Sequence, residues 1–86
     1  MMIWKYEISV TAEQVLHVPK GATPLSVQVQ EGAICIWFFV DEKNEKVATT
    51  VHVVGAGYNP SKVKLSDFVG TVQTPPFVWH VFVERN

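Results

Sequence analysis

The sequence predicts an all-β domain, a small antiparallel β-sandwich or barrel of six to seven strands that occupies residues 1–86 as one unit. Three observations carry this. Apolar and polar residues alternate with period two in several segments, the pattern of half-buried strands. Sixteen valines enrich the chain in side chains that fit a pleated surface. Turn signals recur about every 8 to 12 residues with no helical stretch longer than a turn between them, the spacing of sandwiches and barrels rather than of parallel sheets.

Taken in order, Ile3 to Val10 sets Trp4, Tyr6, Ile8 and Val10 on one face and Lys5, Glu7 and Ser9 on the other. Thr11 to Val18 could cap a helical turn through Thr11 and Gln14, but Val15, His17 and Pro19 favour a second short strand. Residues 19–24 hold two prolines and a glycine and form a turn. Leu25, Val27 and Val29 then alternate strictly with Ser26, Gln28 and Gln30, and Glu31-Gly32 reverses the chain into Ala33 to Val40. That arm is apolar on both faces, as befits a central strand or one whose outer face a partner covers. A charged loop, Asp41 to Lys46, leads to Val47 to Val54, with Val47, Thr49, Val51 and Val53 opposite Ala48, Thr50, His52 and Val54. After the loop Gly55 to Ser61 come two last strands, Phe68 to Gln73 and Phe77 to Glu84, separated by Thr74-Pro75-Pro76.

A chain of 86 residues with no linker has material for one core. At this length only about 60 to 65% of the unfolded surface is buried, so dimerisation is a natural source of added stability and a homodimer or higher homo-oligomer is expected. The lone Cys35 excludes an internal disulfide, and no Cys/His spacing suggests a structural metal. Met1 to Glu7 lacks the apolar run of a signal peptide, which points to the cytoplasm. The longest apolar run, Ala33 to Val40, is far short of the roughly 20 residues of a membrane helix. Seven basic against eight acidic residues leave no basic footprint for DNA.

No catalytic constellation emerges, and neither a cofactor nor a metal is expected. His17, His52 and His80 read as ordinary strand histidines, since a metal would require the fold to converge them. Cys35, between Ile34 and Ile36, reads as a core residue with an unreactive thiol. Gly55-Ala56-Gly57 follows a strand but opens no helix and meets Pro60, so it is no dinucleotide fingerprint. Either it is a plain turn, or the backbone N–H groups about Gly57 form an anion nest to which Tyr58 adds an aromatic face and Asn59 an amide. Gln28, Gln30 and Gln73 suit base edges or peptide groups, though solvated strand residues would look the same. Trp4, Trp37 and Trp79 are core residues by default, while a tryptophan beside a glutamine-lined face could stack on a base or anchor a partner. The candidate ligand- or partner-binding set is therefore Gln28, Gln30, Gly57, Tyr58, Asn59, Gln73 and His80.

Val18-Pro19-Lys20-Gly21-Ala22, Leu25-Ser26-Val27-Gln28-Val29-Gln30, Trp37 with Val40-Asp41, the Gly55-Ala56-Gly57 turn, Val69-Gly70-Thr71-Val72-Gln73 and Val78-Trp79-His80-Val81-Phe82 together resemble a family of small uncharacterised phage and prophage proteins. The likeness runs from Trp4 to Val83, and its relatives carry a histidine after the glycine turn where this chain has Tyr58. The resemblance implies a phage origin, hence residence in the host cytoplasm. A non-enzymatic accessory protein of this kind is expected to act in counter-defence, foremost by sequestering a host immune nucleotide messenger. The alternatives are an inhibitor that binds a host defence complex or nuclease, in the manner of an anti-CRISPR protein, and a small virion or assembly component. Near-neutral charge argues against DNA mimicry, and the Gly/Gln/aromatic set favours a ligand.

Overall fold

In the computed structural model, which describes residues 1–60 and 62–85, seven strands form among the described residues: β1 (Met2–Ile8), β2 (Glu13–Pro19), β3 (Thr23–Gln30), β4 (Ala33–Val40), β5 (Lys46–Gly55), β6 (Phe68–Thr74) and β7 (Phe77–Val83). A single 3-10 turn, Leu65–Asp67, precedes β6. All pairings are antiparallel and build a three-stranded sheet, β1-β4-β3, and a four-stranded sheet, β2-β5-β7-β6. The shortest dimension of the molecule is 17 Å, which accommodates two sheets about 10 Å apart and no third layer. Of the two architectures the sequence allowed, the sandwich is the one formed.

The period-two pattern sets the core. Ile34, Ile36, Phe38 and Val40 of β4 face Val51, Val53, Val81 and Val83 of the opposite sheet in one buried cluster, which Ile8, Val18, Val27 and Val72 complete. Trp4, Tyr6, Leu16 and Trp79 close its margins. Tyr6 meets Phe38 edge to face at 5.4 Å between ring centroids, and the Trp79 indole N–H donates to Thr74 Oγ1 at 2.8 Å, so each amphipathic ring buries its body and satisfies its polar end.

A turn and a glycine within a strand show how local sequence sets this packing. β3 and β4 are joined by Glu31 at φ 51° and Gly32 at φ 81°, the pair of positive dihedrals that matches a two-residue hairpin to the twist of its strands. At Gly70, a Cβ would sit 2.9 Å from Val27 Cγ1. There β6 comes against β3 of the other sheet, and only a bare backbone permits that approach.

Several expected placements are corrected. Val10 lies in the exposed turn after β1 rather than on the Trp4–Ile8 face. Leu25 is the extra residue where the β3–β4 register shifts between Pro24 and Ser26, so it breaks the Leu25-Val27-Val29 alternation and is half exposed. Cys35 is buried as expected, at 3% exposed, although it stands apart from the cluster between the sheets. Strand alternation turns it and Trp37 to the outer face of the three-stranded sheet, opposite Ile34 and Ile36. Trp37 is thus no core residue, unlike Trp4 and Trp79. No helix among the described residues is long and apolar enough to cross a membrane.

Candidate functional site

β5 and β6 both pair antiparallel with β7, which lies between them, so they run parallel to each other. A hairpin cannot join parallel strands; the chain must return along the sheet. Residues 56–60 and 62–67 lie on that return as a strap over the outer face of the four-stranded sheet. This strap answers why His52, which alternation assigns to the outward side of β5, is only 4% exposed.

Beneath the strap lies a cleft of about 310 Å³. Tyr58, Asn59, Pro60, Lys62 and Val63 form its roof; His52, Val53 and Val54 of β5 form its floor, and Ala12 with Glu13 closes the β2 side. Glu13 Oε1 of β2 is 3.8 Å from His52 Nδ1, and His52 Nε2 lies 2.6 Å from Glu84 Oε2, so the carboxylate just beyond β7 holds the imidazole. Such a bond to an ionised oxygen is about twice as strong as a neutral one and locks the ring's orientation. A second hollow, of about 210 Å³, adjoins the first through Lys62 and brings in Lys64, Asp67, Glu84 and Arg85. A third, of about 180 Å³, adjoins through Tyr58 and is walled by Phe77 and Trp79, whose rings stack at 5.5 Å. Tyr58 therefore stands between two depressions, with 71% of its surface exposed.

The residues singled out by sequence fall in three places. Gly57, Tyr58 and Asn59 lie in the strap, and Tyr58 and Asn59 line the cleft. Gln73 and His80 share the outer face of the four-stranded sheet on its β6–β7 side, away from the cleft lining, where His80 Nδ1 pairs with Thr71 Oγ1 at 2.8 Å. Gln28 and Gln30 are on the opposite side of the sandwich, flanking Cys35 and Ala33 of β4; Gln30 Oε1 accepts from Lys5 Nζ at 2.6 Å. The seven do not form one surface.

Sequence reasoning missed His52, Glu13 and Lys62. The signal for His52 was its place on the polar side of β5 beside Thr50. Nothing in the local pattern announces a carboxylate from β2 and another from beyond β7 on either side of it. Among the described residues no group of three or more His, Cys, Asp or Glu side chains is arranged to hold a metal ion.

Comparison with curated proteins and with solved structures finds no match. The family described as a domain of unknown function, DUF7352, matches residues 1–86, and the chain belongs to that family.

Proposed function

We propose that this chain is a non-catalytic binding protein that captures a small molecule of the nucleotide class in the cleft beneath the strap. The observation that carries the reading is the cleft itself: an apolar valine floor, an exposed aromatic ring at the mouth and a cation on the roof, in a volume at the small end of the range of about 300 to 1,000 Å³ for ligand sites. A flat ring would lie on Val54 against Tyr58. The Asn59 amide both donates and accepts. A phosphate would turn toward Lys62 and the neighbouring Lys64 and Arg85 and away from the Glu13 carboxylate, which accepts instead from amino or hydroxyl hydrogens. Joined to the resemblance to phage proteins, this reads as a counter-defence factor that sequesters a host immune nucleotide messenger in the host cytoplasm.

Isothermal calorimetry against a panel of cyclic and ADP-ribose-type nucleotides tests it. One tight binder is expected, released unmodified on heating. Tyr58→Ala or Lys62→Gln should weaken it by more than about 1 kcal/mol while leaving the melting temperature nearly unchanged. Failure of every nucleotide to bind would remove this reading. Co-purification of a host defence protein would replace it with the inhibitor, and detection in purified virions with the structural component.

A further inference from the structure

Among the described residues no connecting segment covers the outer face of the three-stranded sheet. The connections 9–12, 20–22, 31–32 and 41–45 are too short to fold across it, in contrast to the strap on the other sheet. Down its centre run the outward residues of β4, Ala33, Cys35, Trp37 and Phe39, an apolar row that Ile3 of β1 extends beside Phe39 and that the Lys5–Gln30 bond crosses from β1 to β3 above Cys35, which is 3% exposed. Ile3 is 59% and Phe39 41% exposed. Next to this row stand two opposite charges: Lys5 is paired in register with Trp37, and Glu7 with Cys35. Among the described residues neither forms an ion pair, and Lys5 bonds instead to the neutral Gln30 amide.

We propose that this face binds a second copy of the chain, with the two three-stranded sheets packed face to face about a two-fold axis that crosses β4 between Trp37 and Cys35. The occupant follows from the charges. A two-fold axis lying in the interface and perpendicular to the strands exchanges the Trp37 row with the Cys35 row. It therefore sets Lys5 of each copy over Glu7 of the other, and each Trp37 over the opposite Cys35. Packed sheets lie about 10 Å apart, a gap that a lysine and a glutamate side chain span together. The contact is isologous and closed, so it ends at a dimer. It exchanges two exposed charge-to-amide bonds, one in each copy, for two charge pairs and covers the apolar row of a chain too short to cover it alone.

Sedimentation equilibrium at micromolar concentration tests the proposal. The wild type should have twice the 9.7 kDa protomer mass. Lys5→Glu, which sets like charges opposite each other twice, should weaken association by about tenfold or more. Lys5→Glu with Glu7→Lys, which restores complementarity with the signs reversed, should return the wild-type dissociation constant. Melting temperatures measured at a dilution where the wild type is monomeric show that each variant is folded. A monomeric wild type overturns the proposal; so does a dimer indifferent to Lys5→Glu, or a double variant no tighter than the single one.

Discussion

Phe38 and Phe39 are adjacent in sequence and offer the same substitution on opposite faces of one strand. Phe38 is 1% exposed, while Phe39 is 41% exposed on the outer face. Phe38→Ala removes a buried ring from the centre of the core and with it the edge-to-face contact to Tyr6. Transfer and cavity terms together amount to about 3 to 5 kcal/mol. That is a large share of the total for a chain this size, about 4 to 13 kcal/mol at about 0.05 to 0.15 kcal/mol per residue. Phe39→Ala opens no cavity and removes only partial burial, about 1 kcal/mol. Guanidinium unfolding followed by circular dichroism, with both substitutions placed in the Lys5→Glu background so that self-association does not contribute, should give costs that differ by about 3 kcal/mol. Equal costs, or a larger one at Phe39, would mean that β4 presents the other face to the core.

Three further outcomes follow from the packing. Gly70→Ala should destabilise by about 1 to 3 kcal/mol, because its methyl meets Val27 Cγ1; Val27→Ala removes that partner atom, so a double-mutant cycle by chemical unfolding should show favourable coupling. Glu84→Gln should cost about 1 kcal/mol in thermal unfolding, since it weakens the 2.6 Å bond to His52 but at a partly exposed carboxylate. Burial pushes the Tyr6 phenol above its ordinary value, so the folded state favours the protonated form. Its contribution is complete below about pH 10 and is lost as pH rises through the raised folded value. The melting temperature of the wild type should accordingly fall more steeply above about pH 10 than that of Tyr6→Phe, which has no proton to lose from its contact with the His17 carbonyl.

Strand identity was legible because it is local: Trp4, Tyr6 and Ile8 alternate with Lys5 and Glu7 wherever the strand ends up, and Glu31-Gly32 marks its hairpin by its own backbone needs. What the sequence hid is relational. The run from Ala33 to Val40 is apolar at every position, so alternation could not say that Ile36 and Phe38 turn inward while Cys35, Trp37 and Phe39 turn out. Only the partners across β1 and β3 decide it. The Leu25 bulge escaped for the same reason, since an extra residue is visible only against a paired strand. Of the candidate site, the loop carrying Tyr58 and Asn59 was legible from its glycines and aromatic ring. Gln28 and Gln30 share its chemistry, but the fold sends them to the opposite side. His52 carries no local signal, because its burial depends on the strap above it, and the strap exists only because β7 inserts between β5 and β6.

That insertion also separates the two surfaces proposed here. Placing β7 between two parallel strands forces the connection from β5 to β6 across one sheet, which covers it, buries His52 and creates the cleft in one step. The three-stranded sheet contains no parallel relation; β4 pairs antiparallel with β1 and β3, tight connections suffice, and nothing remains to lie over Trp37 and Phe39. A ligand beneath the strap and a second copy on the face without a strap therefore occupy opposite sides of a molecule 17 Å thick, and neither obstructs the other. A dimer built this way turns both straps outward and offers two independent clefts, so Lys5→Glu should dissociate the dimer without changing the affinity of each chain for its nucleotide.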